Sequence, residues 1–281
     1  MKLFNHLVVV CLSSLINTYA NPYPLGDGRS YLGLGYSVHE YDRFLAGKNV
    51  ITGPFASGLK IKESAYALTY EHGLNKRDTF IFNSKYSDVE GNGLPQAIAP
   101  GNSFTGISDT YIGWKRNIKA DWSASAFEIG VLISDDYEAK SLVAPGKGTS
   151  GLALSYYWTT SLSERSILGS TFRYAYHNNK VPNNFLMHIE LYHQINQEWS
   201  LRFFGSQLIT MGGPTIGQPS TGWVGPASFH VVDEERQILG FGVIHEVNED
   251  WSLSATLSGK IAGKNTDNSH TTLTIGVGYS F

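Results

Sequence analysis

Along most of the chain apolar and polar residues alternate with a period of two, the rhythm of a strand whose two faces meet different surroundings. The end of the chain carries it most plainly. There Leu273, Ile275, Val277, Tyr279 and Phe281 interleave with Thr274, Gly276, Gly278 and Ser280. Just upstream, Trp251, Leu253, Ala255, Leu257 and Ile261 share one face, while Ser252, Ser254, Thr256, Ser258 and Lys260 share the other. One face suits lipid and the other a crowded, wet interior.

A short turn recurs between such strands: an apolar residue, a polar cluster, then an apolar or aromatic restart. It occurs at Leu74 to Phe80, Ile118 to Trp122, Leu162 to Ile167, Ile195 to Trp199 and Val247 to Trp251. Longer Gly, Pro, Asn and Asp segments lie between, at about 42–60, 88–103, 135–150, 177–184, 211–235 and 262–269. Six long loops and five tight turns join twelve strands, at about 29–41, 61–73, 78–88, 104–116, 122–134, 151–161, 166–177, 184–194, 199–210, 236–247, 251–261 and 271–281. Each span is near the roughly 9 to 11 residues that a tilted membrane-crossing strand needs. The pattern predicts an all-β fold, a transmembrane antiparallel up-and-down β-barrel with short periplasmic turns, long extracellular loops and both termini in the periplasm. A soluble β-sandwich also alternates, but its connections need not follow a long-short rule around the whole chain. Trp122, Trp199 and Trp251 beside the tight turns, with Phe281 at the last position, fit an interfacial aromatic girdle.

Carrying the period through each strand sorts the side chains. Tyr66, Leu68, Tyr70, Ile112, Trp114, Phe127, Ile129 and Val131 face lipid, as do Leu152, Leu154, Tyr156 and Trp158. Phe172, Met187, Ile189, Leu201, Phe203, Phe241 and Val243 follow them. The inward set contains Glu71, Asp109, Glu128, Glu190 and Glu246 with Lys85, Lys115, Arg173, Arg202 and Lys260, and His188 beside them. A basic residue on the lipid face would cost about 2 to 4 kcal/mol at the midplane, which gives this sorting a physical cause. The lumen is therefore polar and nearly charge-balanced, either because these groups pair to fill a narrow interior or because they form a solute site. The loop from Met211 to Glu235 carries Ile216, Trp223 and Phe229 among its apolar residues; it could form a lid or entry site, or equally an ordinary surface loop.

The amino terminus adds a location. Lys2, an apolar run around Leu7 to Leu15 and Thr18-Tyr19-Ala20 read as an export signal over residues 1–20, leaving 21–281 as a single barrel domain. The run is too short for a membrane anchor. Cys11, the one cysteine, falls inside that signal, so disulfides and cysteine-metal chemistry are excluded from the rest. With 21 Lys and Arg against 24 Asp and Glu, the balance gives no electrostatic case for nucleic acid. The 30 Gly, 16 Tyr, 14 Phe and 6 Trp favour bent, ring-rich sheet.

Enzyme signatures are weak. A lipid hydrolase would set a histidine near a serine at the lipid face, yet Tyr192-His193-Gln194 lacks a following serine and Ser269-His270 reverses the order. No histidine pair has metal-ligand spacing and no glycine loop cradles phosphate, so neither catalytic residues, metal nor cofactor is expected.

Several stretches resemble a known family, the outer-membrane barrel channels associated with phenol-degradation pathways. They are Tyr70-Glu71-His72-Gly73-Leu74-Asn75-Lys76-Arg77, then Gly106-Ile107-Ser108-Asp109 with Ile112-Gly113-Trp114-Lys115, then the closing hairpin with Ser258-Gly259-Lys260. Ser108 stands where a glycine is usual, and Ile133-Ser134-Asp135-Asp136 replaces the Pro-Thr-Gly-like stretch expected after the fifth strand. The resemblance implies passage of small, often aromatic, solutes across the outer membrane. Tyr279-Ser280-Phe281 looks like the carboxyl-terminal signal that barrel-assembly machinery reads. The expected partners are thus outer-membrane lipids, that machinery through Phe281, and a small-molecule solute. Two other readings remain open: a closed barrel serving as adhesin or scaffold through its loops, and a lipid-modifying enzyme.

Overall fold

Three of the tight turns fold around an asparagine side chain in a computed structural model, which describes residues 21–50, 60–92, 103–120, 123–134, 146, 148–222, 230–267 and 271–281. Asn75 Oδ1 accepts the N–H groups of Arg77 and Asp78 at 2.8 and 3.0 Å. Asn196 does the same for Glu198 and Trp199, and Asn248 for Asp250 and Trp251. In each turn the preceding apolar residue donates its N–H to the carbonyl four positions on, Leu74 to Asp78, Ile195 to Trp199 and Val247 to Trp251, at 2.8 to 2.9 Å. An Asx side chain replaces a backbone turn here, so the repeat in sequence is a repeat of hydrogen bonds.

These turns join strands β1 (Ser30–Tyr41), β2 (Lys60–Gly73), β3 (Asp78–Asn92), β4 (Ser103–Ala120), β5 (Ser123–Ser134), β6 (Gly151–Ser163), β7 (Ser166–His177), β8 (Asn183–Gln194), β9 (Trp199–Met211), β10 (Glu235–Glu246), β11 (Trp251–Lys264) and β12 (Thr272–Ser280). They form one closed antiparallel barrel in chain order, the architecture expected from the sequence. It shuts where β1 pairs with β12, from Tyr31 opposite Ser280 to His39 opposite Thr272. Closure satisfies every edge, the condition for a sheet to cross hydrocarbon.

Side chains alternate accordingly. In β5, Phe127 and Ile129 are about half exposed, at 56% and 48%, while Ala126 and Glu128 between and beside them are buried. Trp199, Trp251 and Phe281 are exposed as well. Trp251 packs on Tyr279 at 4.5 Å, Tyr279 on Phe281 at 5.3 Å, and Trp199 on His245 at 4.3 Å, giving part of an aromatic belt near the tight turns. Trp122 lies outside the described residues.

Two strands run further than the expected 78–88 and 104–116. Beyond Asp88 the β3–β4 pairing continues through Val89 opposite Phe104 to Glu90 opposite Ser103. Val89 packs inward on Ile61 with Phe104, whereas Asp88 and Thr105 bond to each other at 2.9 Å. Charge at Asp88 reads as a stop in sequence, but past the apolar band a polar outer face costs nothing. In the same pair Ser108 is an extra residue, a β-bulge between the Lys85–Asp109 and Tyr86–Ile107 pairs. Its hydroxyl donates to the Lys85 carbonyl at 3.1 Å, satisfying a group the bulge would strand.

Glycine provides sockets inside. A Cβ on Gly130 would lie 2.3 Å from the Tyr111 ring, and one on Gly113 would lie 2.8 Å from it. Outside, one side chain ties three loops. Asn265, buried and in the left-handed region at φ 51°, accepts from Gly47 N and Ile216 N through Oδ1 at 2.7 and 3.1 Å and donates through Nδ2 to Asp233 O at 2.7 Å. Lys264 adds an ion pair to Asp233. Ile216, one of the three residues of the possible lid, is buried at 6% exposure; Trp223 and Phe229 lie outside the described residues.

Two outcomes follow. Gly130→Ala should displace Tyr111 and lower stability by about 1 to 3 kcal/mol, read as a lower temperature for loss of the folded, heat-modifiable band on electrophoresis. Asn265→Ala should speed protease cleavage within 211–235 severalfold while leaving that band's melting nearly unchanged, because the loops and not the wall lose their fastening.

Candidate channel interior

The inward face of the wall delivers charges, and the interior pairs them. Glu71 on β2 meets Lys115 on β4 at 3.2 Å, both almost wholly buried. Across the barrel, Glu190 accepts from Arg202 Nε and Nη2 at 2.9 and 2.8 Å and from Tyr192 Oη at 3.2 Å, with His188 Nε2 at 3.3 Å. Glu128 accepts from Tyr111 Oη at 2.5 Å and Tyr157 Oη at 2.8 Å, and the Arg173 guanidinium lies 4.5 Å from the Tyr111 ring centroid. A buried carboxylate left alone costs several kcal/mol, so each gathers donors from neighbouring strands.

The first described residues occupy the periplasmic end of this interior. Lys115 Nζ donates to the Asn21 carbonyl at 3.2 Å and Asn117 Nδ2 to the Pro22 carbonyl at 3.0 Å. Tyr23 is buried and Leu25 packs on Tyr31. The segment turns through Gly26 and Gly28, at φ 92° and 72°, before β1 begins. It passes so near β2 that a Cβ on Gly73 would sit 1.7 Å from the Gly26 carbonyl oxygen. Only glycine fits there.

Above lies a chamber of about 830 Å³. Glu71, Lys115 and Glu128 line its lower part, and Phe44, His230 and Val232 come from the loops. At its rim Lys260 holds Asp267 at 2.7 Å, with His39 Nε2 3.6 Å away. Burial alone would raise the Asp267 carboxyl, but His39 and Lys260 outweigh it and keep the group well below the usual carboxylate range. Its contribution to the rim is thus complete above about pH 3.9 and is lost only as pH falls through its lowered value.

Of the residues expected in the lumen, Lys85, Asp109 and Arg173 line the chamber with Glu71, Lys115, Glu128 and Lys260. His188, Glu190 and Arg202 form the separate buried group, and Glu246 follows buried Gly242 and Ile244 on the inward parity of β10. Sequence reasoning passed over Glu63, which pairs with Lys85 at 2.6 Å, and the phenols of Tyr111 and Tyr157. Continuing the period would have found all three, since they share parity with Glu71, Asp109 and Ser155. It also passed over two cross-strand serine–histidine pairs, Ser30 Oγ with His72 Nδ1 at 2.8 Å and Ser166 Oγ with His193 Nδ1 at 3.0 Å. Among the described residues no carboxylate hydrogen-bonds to either histidine, the part that orients a catalytic base.

The solved COG4313 outer membrane channel from Pseudomonas putida F1 shares this fold, with a TM-score of 0.76 at 11% identity over 93% of this chain and 98% of that one. The NanC porin matches at TM-score 0.50 and 10% identity, over 89% of this chain and 98% of that one. No curated relative matches by sequence. A closed ring with an apolar outer belt requires lipid around it, and the shared fold is that of an outer-membrane channel, so the outer membrane is where this chain resides. The model of one family matches residues 42–273, most of the length, and by that match the chain belongs to the family described as "Putative MetA-pathway of phenol degradation".

Proposed function

We propose that the chain is a passive channel for small, largely apolar solutes, stopped at its periplasmic end by its own amino-terminal residues. The observation that carries this is the chamber of about 830 Å³ lying over a floor made by the Glu71–Lys115 pair, on which Asn21 is seated. Such a volume fits one small organic molecule. The inward charges Glu71, Lys85, Asp109, Glu128, Arg173 and Lys260 line the path, while the group around Glu190 stiffens the wall below. Outer-membrane channels with this fold support transport over a scaffold role, and the two serine–histidine pairs, lacking an orienting carboxylate, argue against a lipid hydrolase.

Residues 1–20 are removed on export in this reading. Asn21 is 2% exposed against Lys115, so a retained leader would have to run on from a packed site. The remaining partners are the lipids around the apolar band and the barrel-assembly machinery. Phe281 supports the latter: its side chain is 59% exposed while its backbone exchanges hydrogen bonds with Ser30 at 2.7 and 2.9 Å.

In planar bilayers the chain beginning at Asn21 should give small conductance steps, and deletion of residues 21–25 should enlarge them severalfold. If both proteins stay silent across voltage and salt, the channel reading fails. Equal conductance from both would remove the stopper from it.

A further inference from the structure

The chamber is lined unevenly. Strands β5, β7, β8, β9 and β10 turn Leu132, Ala175, Leu186, Leu208 and Ile238 into it, with Arg173 opposite Leu186 and Arg236 opposite Leu208; both arginines are engaged, Arg173 over the Tyr111 ring and Arg236 at 3.9 Å from Glu234. The facing wall, from β11 round to β4, presents His39, Glu63, Lys85, Asp109 and Lys260. Leu186 and Leu208 are direct cross-strand partners, so the apolar patch is centred on β8 and β9. Every charge on the polar side is already engaged. Lys85 holds Glu63 at 2.6 Å, with the Ser87 hydroxyl also donating to that carboxylate at 3.0 Å. Lys260 holds Asp267, and His39 Nδ1 lies 3.0 Å from the Thr272 hydroxyl. Asp109 too has its own interaction.

An entering ammonium or carboxylate would give up hydration and gain a counter-charge only by taking it from its present partner, which is then stranded. A plain hydrocarbon would cover polar groups without offering them a hydrogen bond. A solute with an apolar body and one uncharged hydroxyl meets neither cost. We propose that the chamber is a binding site for uncharged amphiphiles of this kind, with the body against β5–β10 and the hydroxyl at the Glu63–Lys85 pair, and that it disfavours the ionised relatives of the same skeleton. This rests on the channel reading for its physiological meaning, not for its chemistry.

The test measures binding to the chain beginning at Asn21 in lipid nanodiscs by saturation-transfer NMR, with empty nanodiscs subtracted. The probes share one ring: cyclohexylmethanol, cyclohexanecarboxylate and cyclohexylmethylamine at pH 7. The alcohol should bind at least tenfold more tightly than either ion. Lys85→Met leaves Glu63 without its cation and should bring the amine to the top, whereas Glu63→Gln frees Lys85 and should favour the carboxylate. Leu186→Gln should weaken all three. Equal binding of the three probes, or an unchanged order in both charge variants with intact heat-modifiable barrels, would overturn the proposal. Alcohol binding with silent bilayers would leave this site standing and remove the channel reading alone.

Discussion

Hydrocarbon offers a backbone nothing to bond with, and the rest of this molecule depends on how its strands meet that condition. Each amide must find a partner within the sheet, and the sheet must therefore meet itself at the β1–β12 seam. Once the ring is shut, the facing of every side chain is determined by position along its strand. Lipid takes one set and the lumen takes the other. The inward charges then have no solvent sink large enough to hydrate all of them, which is why Glu71 takes a donor from β4, Glu128 donors from β4 and β6, and Glu190 donors from β8 and β9.

The interior that results is layered. Below, ion pairs and the segment from Asn21 to Leu25 fill the lumen; above, a part-apolar chamber remains; at the rim, Asn265 and Lys264 gather the loops. The chain spends its specific hydrogen bonds at the two ends and leaves the middle comparatively empty. Such a distribution suits a vessel that admits something and holds it briefly.

Much of this was legible because alternation is local. The strand order, the turns at Leu74, Ile195 and Val247 and the facing of Glu71, Lys115 and Arg202 all follow from neighbours a few residues apart. What could not be read depends on contacts across the ring. Nothing in Asn21-Pro22-Tyr23 announces that Lys115 and Asn117, more than ninety residues on, will hold its carbonyls. Two of the stretches that carry the family likeness meet at this place: Glu71 and Lys115 pair, Gly73 clears room for Gly26, Gly113 gives way to Tyr111, and Asn75 makes the adjoining turn, whereas Lys260 lies at the rim. Their resemblance was visible as text, and their meeting was not. The tie between the Ile216 N–H and Asn265, forty-nine residues on, was hidden for the same reason.

Ser108 shows what one residue does to this order. Below it, β4 turns odd positions inward, Asp109, Tyr111 and Lys115; above it, Ile107 is 46% exposed and Phe104 packs inside. Deleting it would set Asp109 and Ile107, which already face the consecutive partners Lys85 and Tyr86, next to each other and leave both parts of the strand facing as they do. One residue of slack is thereby built into the wall: β4 is a residue longer than its partner at this point, yet its outer end keeps the same sides toward lipid and lumen.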